Sequence, residues 1–133
     1  MKKFAVIGLA IGLVVAAILL SWQHFKSSHD ESVRKLLAGA WTLDGSSSYT
    51  ARPDGTFVRV FTNFNTGRVV TNEGTFQVKD GFIFETVTKS SRTNTHVPIT
   101  SHSWIIRAEA NQIVVIDGDP GGNVQHIFRR ETR

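Results

Sequence analysis

From Phe4 to Leu20 the chain carries no polar side chain, whereas from Gly39 onward apolar and polar residues change places every one or two positions. The two patterns predict different structures. An unbroken apolar run reads as a membrane helix; at about 1.5 Å per residue it spans roughly 25 Å, near the lower limit for crossing a bilayer. Short alternating runs rich in β-branched and aromatic residues, punctuated by turn residues, read as β-strands. Between them, Ser28-His29-Asp30-Glu31 fits a capping box, Val33, Leu36 and Leu37 share one helical face, and Gly39 suits a helix stop. These features predict a short amphipathic helix over 29–38, whose apolar face either plugs one end of the β domain or lies on the membrane surface; three apolar residues give little membrane affinity, which favours the plug.

The pattern therefore divides the chain into four segments. Residues 1–22 are predicted to be a signal-anchor or transmembrane helix, 23–28 a tether, 29–39 the short helix with its terminal glycine, and 40–133 one β domain. A cleaved signal peptide is the competing reading of the first segment. It needs small residues at a cleavage site, but Ala16-Ala17 is followed by Ile18, Leu19 and Leu20, then Ser21-Trp22-Gln23. The uncleaved anchor is favoured over secretion after cleavage. Lys2 and Lys3 favour an N-terminus inside, although Lys26, Arg34 and Lys35 reduce the asymmetry. The expected placement is a single pass through the cytoplasmic (inner) membrane, with the C-terminal domain outside the cytoplasm.

Turn signals then divide the β region. Pro53-Asp54-Gly55, Asn65-Thr66-Gly67, Lys79-Asp80-Gly81, Ala110-Asn111 and Gly118 to Asn123 are turns, and Ser90 to Asn94 is a polar break. Strands are predicted over 40–44, 47–52, 56–64, 68–78, 82–89, 95–108, 112–117 and 124–131. With no helices between them, they form an antiparallel meander, in a sandwich or a barrel. Two strands break clean alternation: Arg59 stands on the Phe57/Phe61 side, and Glu85 on the Ile83/Val87 side. Inward and outward faces stay open at this point.

Composition removes several kinds of chemistry. The chain has no cysteine, so disulfides, thiolate catalysis and Cys-ligated zinc are excluded. The net charge is +4. Basic residues of the β region stand singly, apart from Arg129-Arg130 and Arg133, and form no stripe of the kind nucleic acid requires. His96, His102 and His126 do not share a spacing that suits one metal, and Asp117 to Asn123 lacks the twelfth-position carboxylate of a calcium loop, where Phe128 stands. In Ser101-His102-Ser103, neighbours on a strand point to opposite faces. Glu73, Glu85 and Glu109 are the carboxylates that could meet in space. No catalytic residue, metal ligand or cofactor is expected, and the chain reads as a non-enzyme.

Gly39-Ala40-Trp41 resembles the G-x-W pattern that opens the first strand of lipocalins. Trp41 to Phe57, then Glu73-Gly74-Thr75-Phe76-Gln77-Val78-Lys79-Asp80-Gly81 and Phe128-Arg129-Arg130, look like the small bacterial lipocalin-like domains. The resemblance runs from about residue 36 to 131. It implies an all-β, up-and-down antiparallel barrel of about eight strands. It also implies a structural role in barrel closure for Gly39, Trp41 and either Arg129 or Arg130, the arginine lying across the indole. By the same resemblance, the function is that of a membrane-anchored, extracytoplasmic binding module for a hydrophobic small molecule or lipid. The alternative is a packed barrel that acts as a non-enzymatic structural or interaction module with an envelope protein partner. An interior cavity below the roughly 300 Å³ of typical ligand pockets would remove the binding module for a hydrophobic small molecule or lipid.

Overall fold

Alternation and turns place eight strands along the second part of the chain: β1 Gly39–Leu43, β2 Ser47–Ala51, β3 Thr56–Thr62, β4 Val69–Lys79, β5 Phe82–Ser90, β6 Ile99–Ala108, β7 Gln112–Asp117 and β8 Gln125–Arg130. The computed structural model describes residues 2–132, with side chains from residue 12 onward. Each strand pairs antiparallel with the next, and β1 pairs with β8, so the sheet closes into an up-and-down barrel. This is the arrangement a lipocalin-like fold requires.

Local chemistry sets the strand ends. β3 stops at Thr62 because Asn63 turns the chain, its side-chain oxygen accepting from Asn65 N–H and its carbonyl from Gly67 N–H. β6 starts only after Pro98, which has no N–H to give to a ladder. Asp80 and Gly81, both at positive φ, make the tight β4–β5 hairpin. In β4 the register shifts between Glu73 and Gly74. A side chain at Gly74 would collide with the Thr86 carbonyl, so this bulge needs glycine.

A single helix, α1 Lys2–Leu37, precedes the barrel. This corrects two expectations. The tether and the separate short helix do not exist as such, because Gln23 to Ser28 is helical. No proline or glycine lies between Gly12 and Gly39 to interrupt it. Ser28 therefore sits inside the helix, its carbonyl accepting from the Ser32 hydroxyl, and opens no new one. The transmembrane helix is also overturned: among the described residues no helix is long and apolar enough to cross a membrane. The apolar stretch runs directly into the polar turns that hold Gln23, Lys26, Asp30, Glu31, Arg34 and Lys35. The part of the predicted span over residues 1–11 lies outside the described side chains.

The C-terminal turns of α1 cap the barrel end formed by the β2–β3, β4–β5 and β6–β7 turns. Asp30 accepts from the backbone N–H groups of Asp80 and Gly81 at 2.7 and 3.1 Å, and Arg34 donates to the Pro53 carbonyl at 2.9 Å. Val33 and Leu37 are buried beneath, and Leu37 joins the barrel core. Inward residues of successive strands fill that half: Trp41, Tyr49, Phe57, Phe76, Ile83, Ile113, Val115 and Phe128. Tyr49 stacks on Phe57 at 5.3 Å between centroids and meets Phe128 edge-on at 5.1 Å. The interior is thus solid at the helix end.

Candidate functional site

At the closed end, the residues of the G-x-W pattern meet the last strand. Arg130 lies over the Trp41 ring, with Cζ 4.3 Å from the centroid. Its guanidinium also donates to the carbonyls of Leu36 and Ala110, each at 2.6 Å, and to that of Ala38 at 3.5 Å. The Trp41 indole N–H donates to the Leu37 carbonyl at 2.7 Å. Gly39 has φ +137°, and a Cβ there would lie 2.6 Å from Arg130 Nη1. One arginine therefore joins the helix end, the first strand and the β6–β7 turn. Neighbours in a strand face opposite ways, so Arg129 is exposed while Arg130 is half-buried. This group is structural, and none of its members borders the cavity described next.

The other half of the interior is different. The strand period of two carries inward positions from the apolar floor into charged and hydroxyl side chains: Phe57 to Arg59 on β3, Ile83 to Glu85 on β5, Val115 to Asp117 on β7 and Phe128 to His126 on β8. Register places Tyr49 beside Arg59, Glu85 beside Ser101 and Val115 beside His126. Together they enclose a cavity of about 180 Å³. Its floor is Leu43, Ile83, Val115 and Phe128, and its walls are Arg59, Glu85, Ser101, Ser103, Asp117 and His126. A more open groove adjoins it at Arg59, between the β1–β2 and β3–β4 turns.

Burial shapes the electrostatics of this cavity. It pushes the Glu85 carboxyl above the usual carboxylate range, although Tyr49, Arg59 and His126 oppose it. Burial also raises the Tyr49 phenol well above its ordinary value, with Glu85 adding to the effect. At the rim, Asp44 accepts from Ile127 N–H at 2.8 Å and lies 2.6 Å from His126 Nδ1. Burial would raise the Asp44 carboxyl, but these hydrogen bonds and the His126 and Arg59 charges hold it below its usual value. Three buried side-chain atoms have no hydrogen-bond partner among the described residues: Tyr49 Oη, Arg59 Nε and Asn72 Oδ1. A buried unsatisfied group of this kind costs about 1–3 kcal/mol.

The other candidates fall apart in space. Glu73 pairs with Lys89 at 3.3 Å, Glu109 with Arg107 at 3.8 Å, and of the three carboxylates only Glu85 reaches the cavity. His102 lies on the outer face against Phe82 and Phe84, 3.2 Å from Asp119, whereas His126 faces inward. Ser101 and Ser103 line the cavity, and neither hydroxyl is hydrogen-bonded to His126. Among the described residues no group of three potential metal ligands converges. Asp117 and His126 carry no sequence signal of their own as cavity residues; Arg59 and Glu85 do, as charges on the apolar side of a strand.

No family model, curated protein or solved structure matches this chain. What the fold and site define is an eight-stranded antiparallel closed barrel with a polar internal cavity, an architecture compatible with a binding module.

Proposed function

We propose that this chain is a lipocalin-like binding module that takes a small polar molecule into the open half of its barrel. The observation that carries the reading is the cavity of about 180 Å³ whose walls hold the side chains of Arg59, Glu85, Asp117 and His126, the Arg59 Nε buried without a protein partner. A ligand offering hydrogen bonds would satisfy them, which an acyl chain cannot do. The volume of about 180 Å³ also falls below the roughly 300 Å³ of typical small-molecule pockets, so any ligand is small and a long acyl chain does not fit. The size and lining together favour a polar ligand over the lipid that the resemblance implies. The site is read as binding and not catalytic. Asp44 orients His126 as it would a general base, but no hydroxyl is bonded to that ring as a nucleophile would be.

A second reading has its own support. Phe82, Phe84, His102 and Trp104 cluster on the outer face of β5 and β6, with Phe82 4.9 Å from Trp104 and 5.9 Å from Phe84. An aromatic surface over a largely filled barrel suits a protein-interaction module.

The two are separated by titrating the isotopically labelled chain with short amino acids, carboxylic acids, amines and polyols, and in parallel with palmitate. The polar panel is expected to shift the amide resonances of Arg59, Glu85, Ser103 and His126, and palmitate to leave them in place. Shifts with palmitate alone would restore the hydrophobic ligand. No shift with either would leave the interaction module as the better reading.

A further inference from the structure

The charged groups of the cavity are not used up by the protein. Arg59, Glu85 and Asp117 take part in no ion pair among the described residues, although all three line one cavity. His126 differs, being held by Asp44 at the rim. Arg59 Nε is buried without a partner. The site therefore presents one guanidinium and two carboxyl groups, with the Ser101 and Ser103 hydroxyls between the strands that carry them.

A ligand with one charge meets half of this lining badly. An anion that pairs with Arg59 lies near Glu85 and Asp117. A cation that pairs with those carboxylates lies near Arg59. A neutral molecule leaves the half-buried Arg59 and Glu85 without a charge partner, while Asp117 is exposed. A molecule with both charges matches both sets. Volume sets the size: at about 30 Å³ per water molecule, the cavity holds the equivalent of about six waters, room for a small organic molecule.

We infer that the cavity takes a small zwitterion of the amino-acid class, its carboxylate on Arg59 and its ammonium group toward Glu85 and Asp117. This rests on the reading of the cavity as a ligand site. The apolar floor of Leu43, Ile83, Val115 and Phe128 receives the short hydrocarbon part. Arg59 supplies a forked donor suited to a carboxylate, and the two serines supply neutral hydrogen bonds.

The test uses four probes on one four-carbon skeleton: 2-aminobutyrate, 4-aminobutyrate, butyrate and butylamine, each titrated calorimetrically into the full chain near neutral pH. At least one aminobutyrate is expected to bind about tenfold or more tighter than both butyrate and butylamine. Arg59→Met should abolish the preference over butylamine, and Glu85→Gln should reduce the preference over butyrate, with thermal melts confirming that each variant is folded. If Arg59→Met does not fold, Arg59→Lys takes its place and should weaken carboxylate binding while retaining charge. Equal binding of butyrate or butylamine would overturn the zwitterion while leaving the cavity a polar-ligand site. No binding of any probe would overturn it too. The broader polar panel and palmitate then decide whether the binding reading itself survives.

Discussion

Glu85 has its carboxyl in the barrel wall, withdrawn from bulk water. Burial raises its pKa against the opposing pull of Tyr49, Arg59 and His126. An acid whose folded pKa lies above its unfolded one holds its proton more tightly in the native state. Its stabilising contribution is present in the protonated form and is lost as pH rises from the ordinary carboxylate range through the folded value. Asp44 has the opposite sign: its lowered pKa contributes stability above the ordinary range, lost as pH falls below it. Glu85→Gln removes the first dependence and leaves the second. Its melting temperature is expected to exceed that of the unsubstituted chain at about pH 7, with the gap closing toward about pH 4. Thermal melts across that range check this, and a gap independent of pH would mean that ionisation of Glu85 is not the cause. Arg59 and Glu85 were also the two residues of the site legible beforehand, since a charge among apolar neighbours on one strand face is unusual. Asp117, His126 and the serines gave no such signal. They stand among other polar residues near strand ends, where either face is compatible with water.

At the scale of elements, α1 and β8 are joined through one side chain. Arg130 covers the Trp41 ring and donates to carbonyls of the helix end and of the β6–β7 turn. Losing a cation–π contact and charged hydrogen bonds together is expected to cost about 2–3 kcal/mol for Arg130→Met. Arg129→Met, on the exposed face of the same strand, should stay within about 0.5 kcal/mol. Chemical denaturation of both variants tests this difference; equal losses would assign the effect to the general charge of the C-terminal strand. The strands and hairpins were readable because turn chemistry is local: Asp54 accepts from both the backbone and hydroxyl of Thr56, two residues on. The helix was misdivided for a complementary reason. Ser28 to Glu31 resembles a helix start, but Asp30 bonds instead to Asp80 and Gly81, some fifty residues away, which no local pattern reveals.

At the scale of the molecule, the barrel is closed by its shortest ladder. β1 meets β8 over Trp41–Arg130, Thr42–Arg129 and Leu43–Phe128, while β4 and β5 are paired from Asn72–Ser90 to Lys79–Phe82. Local opening follows the weakest cooperative unit. Amides in the β1–β8 seam are therefore expected to exchange about tenfold or more faster than those between β4 and β5, as followed by hydrogen exchange on the native chain. Equal protection in both ladders would indicate that the barrel opens only as a whole. The closed topology follows from eight turn-linked strands, and the G-x-W resemblance pointed to it. The division of the interior into a filled half and a polar half depends on which side chains turn inward, and single-strand patterns left that open.

Trp41 gives this architecture a further use. The three tryptophans occupy distinct media: Trp22 is exposed, Trp104 is half-buried against Phe82, and Trp41 is fully enclosed with a cation on its ring. Excited indoles respond to local polarity and to nearby charge, so the native emission spectrum contains one component that reports the seating of the helix on the barrel. The chain carries its own optical gauge at the end remote from the cavity. Changes in that component separate loosening of the base from events at the mouth.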